Sequence, residues 1–382
     1  MTLRVENIEF TDFRNYEHFE LSGIGPLTVL VGPNAVGKTN VVEGIQLMTS
    51  LTSFRHPTID QVIRHGASAA RTEARITDGD RLLDVAMTLQ EHKRTYTLNG
   101  KAKRPADLKG LMPSVAFTPD DLELVKGSMS VRRTALDALG SQLSANHYLI
   151  KKDYEKVVRY KNRLLKDGAP STLLDSIDET LVTCGAQLTC YRAALFAKLS
   201  PELARRYADI SHGERLSAQY IPSWEVGVSR ETPTLSRDEA RHGLARALEE
   251  RRAEEVARKR SLVGPHADRV EFSIEGQDAS LFGSQGQQRS VVLAYKLAEA
   301  AVIEDVLDQK PILLLDDVMS ELDAFRRHAL VEFISGDVQT FITTANLAYF
   351  DRSLLDSARV VELSSCRGEG ERDGYEEAGP RA

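Results

Sequence analysis

A short stretch near the N-terminus of this 382-residue chain has residue types and spacing suited to binding phosphate. The pattern G-x-x-x-x-G-K-[ST] is matched by Gly32, Pro33, Asn34, Ala35, Val36, Gly37, Lys38 and Thr39. Backbone N–H groups of such a loop bind phosphates, the lysine neutralises the β and γ phosphates, and the threonine hydroxyl binds Mg²⁺. We predict a site for ATP and Mg²⁺ formed by these residues and the following Asn40, with Lys38 catalytic.

Two adjacent carboxylates follow an apolar run in the C-terminal third. Ile312 to Leu315 is continuously apolar, as in a buried parallel strand, and Asp316 and Asp317 come directly after it. The two acids can simply end a strand, but the phosphate loop upstream favours catalysis. Asp316 is then predicted to hold Mg²⁺ together with Thr39, and Asp317 to polarise the attacking water.

A loop of small residues precedes the acidic strand by roughly 30 residues. Alone, Ser284-Gln285-Gly286-Gln287 predicts only a serine-capped helix N-terminus. The order of phosphate loop, S-x-G-Q loop, acidic strand and Ser320 to Asp323 resembles the ATP-binding-cassette (ABC) ATPases. In those proteins the S-x-G-Q signature of one subunit closes on the γ-phosphate held by another. The resemblance implies an ATP-dependent homodimer with nucleotide contacts from Ser284, Gly286, Gln287 and Asp323.

Further segments resemble one family within this superfamily, the RecF family of bacterial DNA replication and repair proteins. They are Phe13-Arg14-Asn15-Tyr16, Arg94 to Gly100, Val115 to Arg133 and Gly264-Pro265-His266. The resemblance covers nearly all of the chain before about Cys366, and it adds Arg14 to the expected nucleotide contacts.

The family resemblance implies an ATP-dependent DNA-binding protein that dimerises on ATP and hydrolyses it slowly, as a weak DNA-stimulated ATPase. It implies action on single-stranded, gapped or junction DNA with RecO and RecR, to help load RecA. Replication restart and the SOS response are implied as well.

The chain departs from the family pattern at several positions. Ala35 stands where the family usually has glycine, which restricts a loop torsion. After Gly-Pro-His the family usually has Arg-Asp-Asp, whereas this chain has Ala267, Asp268 and Arg269, to which we assign no role. Many cassette ATPases have a glutamine and a histidine where this chain has Thr118-Pro119-Asp120 and Thr343-Thr344. Which group positions the attacking water is therefore open.

The predicted elements alternate between two patterns. Short strands are expected at Leu3–Phe10, Leu27–Val31, Leu82–Leu89 and Thr95–Leu98. The middle of the chain has helical periodicity, with an antiparallel hairpin from about Asn146 to Tyr207 and a capping box at Ser236 to Glu239. Alternating strands and helices resume near Val263.

We therefore predict an α/β fold, an ABC-type (P-loop) ATPase head interrupted by a mainly helical insertion domain. The expected boundaries are residues 1–130 and 262–365 for the two parts of the ATPase domain, 131–261 for the insertion and 366–382 for a disordered acidic tail.

The composition is that of a globular protein, with 42% hydrophobic and 27% charged residues. No apolar run approaches the ~18 residues of a membrane span, and the N-terminus lacks a secretory h-region. We expect a cytoplasmic protein that does not bind membranes.

The net charge of −7 is unevenly distributed. Residues 126–166 carry ten basic and three acidic residues, which is +7 and leaves −14 for the rest. Basic side chains recur on one face of the first hairpin helix, at Lys152, Lys156, Arg159, Arg163 and Lys166. We name these five residues the basic stripe and expect it either to contact DNA phosphates or to be a solvated helix face.

Three alternatives share the nucleotide motifs. A transporter ATPase does not need a separation of 278 positions between Lys38 and Asp316. An SMC-type DNA-structuring ATPase has a coiled coil that is much longer than the predicted hairpin. A DNA-binding module switched by ATP, without meaningful hydrolysis, also remains open.

Overall fold

The computed structural model describes residues 3–211, 213–225, 235–334 and 338–364 and the backbone of 375–377. The strands are β1 (Arg4–Phe13), β2 (Tyr16–Ser22), β3 (Leu27–Val31), β4 (Ala69–Thr77), β5 (Leu82–Gln90), β6 (Lys93–Leu98), β7 (Lys101–Lys103), β8 (Ser114–Phe117), β9 (Leu216–Ile221), β10 (Arg269–Ile274), β11 (Gln277–Asp278), β12 (Ile312–Asp316), β13 (Thr340–Thr344), β14 (Arg359–Leu363) and β15 (Tyr375–Glu377). The helices are α1 (Lys38–Thr49), α2 (Ile59–Val62), α3 (Pro105–Leu108), α4 (Glu123–Lys126), α5 (Met129–Leu143), α6 (Ala145–Asp167), α7 (Ser171–Ile210), α8 (Arg237–Arg258), α9 (Gln285–Leu307), α10 (Ala324–Ile334) and α11 (Arg352–Ser357).

The chain divides into two compact units. Unit 1 contains residues 1–121 and 303–382, and unit 2 contains residues 122–302, so that the division falls within α9. By this division residues 122–130 and 262–302, which we predicted to be part of the ATPase domain, lie in unit 2, and the domain boundaries stay a prediction. The reason for this division is visible at Arg132, whose buried guanidinium donates hydrogen bonds to the carbonyls of Leu124, Val125 and Val270 and so ties both segments to α5.

Unit 1 contains a largely parallel sheet in the order β15-β14-β3-β13-β12-β8, in which only β15 is antiparallel. Its strands β3 and β12 are almost entirely apolar and buried, as expected where both faces of a sheet are covered. The carboxyl ends of β3, β13 and β12 are neighbours, with Asp316 beside Thr343 and Thr344 beside Val31. Ligands of parallel α/β sheets bind at such an edge.

A second, antiparallel sheet of unit 1 has the order β2-β1-β4-β5-β6-β7. Its core-facing side chains, those of α1 and those of the parallel sheet form one hydrophobic cluster that includes Phe10, Ile45 and Leu314. The approach of α1 is close at Gly44, where a Cβ atom would lie 2.3 Å from the Phe10 ring. This packing fixes the helix that begins at Lys38.

Unit 2 is mainly helical, with a small sheet in the order β11-β10-β9. The predicted hairpin is formed by α6 and α7, and α6 ends at Gly168, whose φ of 68° is left-handed. The predicted seam of α7 is largely buried, from Leu174 through Leu188 to Leu199. At 40 residues, α7 is about 60 Å long, far shorter than an extended coiled-coil arm.

The structure describes little of the predicted acidic tail. Residues Tyr375–Glu377 form β15, which pairs with β14, and disorder of the tail stays a prediction. The rest of 366–382 lies outside the described residues.

None of the helices that the structure describes has the length and apolar character needed to cross a membrane.

Candidate nucleotide site and basic surface

The phosphate loop connects β3 to α1 and has two left-handed residues. Gly37, directly before α1, has a φ of 118°, and a Cβ atom there would lie 2.5 Å from the Tyr16 hydroxyl. Ala35 has a φ of 67°, in the region where the family's usual glycine is not strained. The Ala35 side chain is exposed and is not part of the core, so the strain that alanine causes at this position is strain of the backbone.

Lys38 is buried at the start of α1, and its side chain turns back over the loop. Its Nζ donates hydrogen bonds to the carbonyl oxygens of Gly32, at 2.6 Å, and Pro33, at 2.9 Å. Burial lowers the pKa of Lys38 below its usual 10.5, against the opposing charges of Asp317 and Asp316. Its ammonium is therefore held at the loop that is expected to bind phosphates.

Three oxygen-bearing side chains meet beside the loop. Thr39 Oγ1 donates to Asp316 Oδ1 at 2.9 Å, and Thr343 Oγ1 donates to the same oxygen at 2.7 Å. The structure thus brings together the two residues predicted to hold Mg²⁺, which are 277 positions apart in the chain. Thr343 is an additional member whose role the sequence left open. Its signal was the threonine pair Thr343-Thr344 at the end of a buried strand.

Hard oxygen donors of this kind suit Mg²⁺, which binds one or two carboxylates together with nucleotide phosphates and waters. Within the described residues no group of three or more His, Cys, Asp or Glu side chains forms a metal cage. The donor set fits a metal ion shared with a nucleotide and does not fit a structural metal.

Asp317 follows β12 in a left-handed conformation with a φ of 53°. Its backbone N–H donates to the Thr343 carbonyl oxygen at 3.2 Å and lies 3.0 Å from Thr343 Oγ1. Partial burial raises the pKa of the Asp317 carboxyl above 3.8, Lys38 opposes the shift, and Asp316 and Glu321 add to it. Such a carboxylate is more basic than an exposed aspartate, as a group that accepts a proton should be.

A buried carboxylate behind the loop was not predicted. Glu43 of α1 is fully buried and accepts two hydrogen bonds from Arg14, at 2.8 and 2.6 Å, and one from Ser53 at 2.6 Å. Arg55 also approaches Glu43, at 3.4 Å, and donates to Asn40 Oδ1 at 2.7 Å. A glutamate within the apolar run of α1 was the available signal.

Two predicted nucleotide contacts belong to this network. The third guanidinium nitrogen of Arg14 donates to the Gln61 carbonyl, so each nitrogen has a protein acceptor. The Asn40 amide donates to Asn15 Oδ1 at 2.6 Å, and the Asn15 amide in turn donates to the Val36 carbonyl at 3.1 Å. Asn40 therefore braces the loop through Asn15, whereas Arg14 bonds Glu43 of α1 and Gln61. The contact of both residues with nucleotide remains a prediction.

The signature residues lie in unit 2, whereas the phosphate loop lies in unit 1. Ser284 caps α9: its Oγ accepts from the Gln287 N–H at 3.2 Å, and its N–H donates to Gln287 Oε1 at 2.8 Å. The Gln287 amide also donates to Glu214 at 2.9 Å, a contact that the sequence did not indicate. Gly286 lies in the first turn of α9.

Asp323, the other predicted nucleotide contact, caps α10. Its carboxylate accepts from the Arg326 N–H at 2.9 Å and pairs with the Arg326 guanidinium. These contacts, the backbone hydrogen bond first, lower the pKa of Asp323. The contact of Asp323 with nucleotide remains a prediction.

The basic stripe is exposed along its whole length on α6. From Lys152 to Lys166 it extends about 21 Å along the helix axis. Lys156 pairs with Asp153 at 2.9 Å, and Lys152 Nζ lies 5.9 Å from the centroid of the Tyr148 ring. In the described part of the chain, Arg159, Arg163 and Lys166 have no acidic partner.

Part of the basic charge of residues 126–166 is not on the surface. Lys161 is fully buried and pairs with Glu255 at 2.5 Å and Asp178 at 2.8 Å. Arg132 is buried, and Arg133 donates to the Asp268 carbonyl at 2.6 Å. The surface charge of this segment is therefore smaller than its sequence count of +7 suggests.

The fold and the site together define an ABC-type ATPase head of the kind found in SMC proteins. Residues 4–364 match the sequence family described as the RecF/RecN/SMC N terminal domain. A solved Smc head domain from Pyrococcus furiosus has a TM-score of 0.53 and 15% identity over 98% of this chain and 97% of that one, which shows the shared fold.

Closer similarity is found to one group of these proteins. The DNA replication and repair protein RecF of Synechococcus sp. (strain JA-3-3Ab) is 37% identical over 92% of this chain and 93% of its own length, and that of Rippkaea orientalis is 36% identical over 94% and 98%. A solved structure of the recombination mediator RecF with bound ATP has a TM-score of 0.85, with 26% identity over 99% of this chain and 98% of that one. The chain belongs to the RecF family.

Proposed function

We propose that this chain is an ATP-dependent DNA-binding protein of recombinational repair and replication restart, in which slow ATP hydrolysis acts as a switch. The observation that carries the proposal is the convergence of Thr39, Asp316 and Thr343 beside the phosphate loop. Family membership and the ATP-bound relative support the same conclusion.

The residues of the site have separate roles in this proposal. Lys38 neutralises phosphate charge, and Thr39 and Asp316 hold Mg²⁺, which when bound supplies positive charge against the phosphoryl oxygens. Asp317 accepts a proton from the attacking water. A carboxylate whose pKa is raised by burial is suited to that step.

The expected nucleotide contacts are divided between the two units. Lys38 and Thr39 belong to unit 1, and Ser284, Gly286 and Gln287 belong to unit 2. In ABC ATPases the signature completes the site of a second subunit, which supports an ATP-dependent homodimer here. Gln287 is held by Ser284 and Glu214, so the signature is already ordered in a single chain.

We place DNA on the basic stripe. Its cations are exposed, and no base-reading motif accompanies them, so binding depends on DNA structure rather than on sequence. Single-stranded, gapped or junction DNA is the expected target. RecO and RecR are the expected partners in RecA loading and in the SOS response, because a solved relative is described as part of the RecFOR pathway.

A DNA-binding module without meaningful hydrolysis is the second candidate. The hydroxyls that stand at the usual glutamine and histidine positions are engaged: Thr118 Oγ1 with Asp121 at 3.1 Å and Thr343 Oγ1 with Asp316. Both arrangements favour slow turnover. An SMC-like role in structuring DNA has less support, since the α6–α7 hairpin is short.

The test is DNA binding by gel shift with and without ATP, together with sedimentation of the free chain. We expect ATP to increase both the dimer fraction and DNA affinity, and Lys38→Ala to abolish both effects. A chain that stays monomeric and ignores DNA in the presence of ATP would contradict the proposal. Dimerisation and DNA binding without measurable phosphate release would favour the second candidate.

A further inference from the structure

The β6–β7 hairpin forms one edge of the antiparallel sheet and contains the Arg94 to Gly100 segment. Asn99 and Gly100, with φ values of 50° and 73°, form its tight turn. The turn is fixed to β5, because Asn99 Oδ1 accepts from the Asp84 N–H at 2.9 Å and the Asn99 N–H donates to the Asp84 carbonyl at 2.8 Å. The hairpin is therefore a defined platform.

Three cations share one face of this platform. In the register, Leu98 pairs with Lys101 and Tyr96 with Lys103. Side chains alternate along a strand and cross-strand partners share a face, so Arg94, two residues before Tyr96, lies on the same face as both lysines. Tyr96 is buried on this face, whereas all three residues of β7 are exposed at its margin.

These cations differ from the arginines on the rest of the same sheet. The neighbouring arginines have carboxylate partners, in the pairs Arg71–Glu73, Arg75–Asp84 and Arg81–Asp78. Arg94, Lys101 and Lys103 have no ion pair with any residue that the structure describes. A chain with a net charge of −7 thus has three positive charges without an ion pair on one hairpin, Arg94 on β6 and the two lysines on the edge strand β7.

Lysine on an edge strand can also prevent edge-to-edge aggregation. That purpose accounts for Lys101 and Lys103 on β7 but not for Arg94, which lies on the inner strand β6. The three cations are also spread along the strands rather than directed at one point, with the Cα atoms of Lys101 and Lys103 about 6.7 Å apart. A single anion needs convergent donors, and a row of separated cations suits a polyanion with regularly repeated charges.

We propose that the β6–β7 hairpin is a second DNA contact site, at which Arg94, Lys101 and Lys103 bind backbone phosphates of the DNA. The inference rests on the proposed DNA-binding function and extends it from unit 2 to unit 1. Recognition is independent of sequence, because the contacts are made to phosphates. The contact adds affinity and salt dependence to those of the basic stripe.

The test uses the full chain with ATP and measures fluorescence anisotropy of labelled duplex and single-stranded DNA over a salt series. The hairpin variant is Lys101→Glu/Lys103→Glu, which keeps a charged edge strand. The matched control is Arg81→Glu/Arg205→Glu, which changes the net charge equally at two exposed arginines that already pair with Asp78 and Glu202. Thermal unfolding confirms that each variant is folded, and Lys101→Gln/Lys103→Gln replaces a hairpin variant that is not.

We expect the hairpin variant to bind duplex DNA roughly tenfold or more weakly, with a log–log salt slope about 1.8 smaller for two lost phosphate contacts. The control should bind like the unaltered chain. Unchanged affinity and slope in the hairpin variant, or an equal loss in the control, would overturn the inference and leave the proposed function intact. An unaltered chain that binds no DNA would instead reject the proposed function.

Loss with single-stranded but not duplex DNA would also overturn the inference as stated, because the expected slope applies to duplex phosphates. Combination with the basic stripe variant Lys156→Glu/Arg159→Glu/Arg163→Glu separates the two sites. Independent sites require the losses in binding free energy to add. A combined variant no weaker than the stripe variant alone would show that the hairpin makes no separate contact.

Discussion

The Tyr154 hydroxyl lies 2.6 Å from Nδ1 of His266, and the other ring nitrogen, Nε2, lies 3.3 Å from the Ser261 carbonyl oxygen. A carbonyl oxygen only accepts hydrogen bonds, so Nε2 of His266 carries the ring hydrogen. The Tyr154 hydroxyl therefore donates a hydrogen bond to Nδ1. The Gly-Pro-His segment thus bonds to the face of α6 opposite the basic stripe. Gly264 is required there, because a Cβ atom would lie 2.3 Å from the Tyr154 hydroxyl.

His266 should make unit 2 sensitive to mild acid. Burial lowers its pKa to about 4, from 6.5 in the unfolded chain, so the unfolded state takes up the proton first. We expect the free energy of unfolding to fall by up to about 3 kcal/mol between pH 6.5 and 4. The only tryptophan, Trp224, is in unit 2, and its fluorescence reports the transition.

The variant His266→Gln tests the assignment. An amide can accept from Tyr154 and donate to Ser261 without titrating. The variant should lose most of the pH dependence in this window. If its stability falls as steeply with pH as that of the unaltered chain, another group is responsible.

Asp317→Asn should separate nucleotide binding from hydrolysis. The amide cannot accept the proton of the attacking water, so we expect phosphate release to fall about 10²–10⁴-fold while ATP still binds. Unchanged turnover, with unchanged release from DNA, would show that Asp317 is not the base.

The acid limb of the hydrolysis profile provides an independent test of Asp317. The base must be ionised, and its raised pKa means that ionisation is lost at a higher pH than for an ordinary aspartate. Steady-state ATPase rates should therefore begin to fall at a pH clearly above 3.8. A limb at or below that value would argue against the assignment.

Ala35 offers a test of loop strain. At a φ of 67°, alanine costs about 1–2 kcal/mol relative to a relaxed conformation, and a β-branched residue costs more. ATP affinity, measured by calorimetry, should follow the order Gly, Ala, Val at position 35. Because the side chain is exposed, Ala35→Val creates no core clash, and equal affinities for all three would show that the loop conformation does not limit binding.

Lys161 should be the most sensitive cation of α6. Removing its charge leaves Glu255 and Asp178 buried without their shared partner, and we expect Lys161→Met to destabilise unit 2 by about 3–5 kcal/mol. The double variant Lys161→Met/Glu255→Gln should recover part of the loss. Denaturation followed by Trp224 fluorescence measures both, and a single variant as stable as the unaltered chain would contradict this account.

The sequence predicted the features that depend on local pattern. The phosphate loop, the strand that ends at Asp316, the capping box of α8 and the serine cap of α9 follow from residue types at fixed spacing. The helical insertion was also confirmed. It could be predicted because the apolar and basic stripes on opposite faces of α6 are visible in its local sequence.

Contacts between distant segments were not predictable in the same way. Arg132 looked like part of a basic surface, yet it is buried on carbonyls from both sides of a predicted boundary. Lys161 falls on the apolar stripe of α6, four residues after Val157 and three before Leu164, so its spacing is consistent with burial. Its partners Glu255 and Asp178 lie on other helices, and periodicity does not reveal which tertiary partners neutralise a buried charge.

The order of strands in the parallel sheet has a consequence for synthesis. Among the described residues, β3 pairs with β13 and β14 and β8 pairs with β12, so neither early strand has one of these sheet neighbours until the chain has been made to residue 312 or beyond. At about 5–20 residues per second, Asp316 leaves the ribosome roughly 15–55 s after Thr39. A nascent chain therefore carries its phosphate loop before Asp316 and Thr343 can join it, and we expect ATP to stabilise only chains that include β12 and β13.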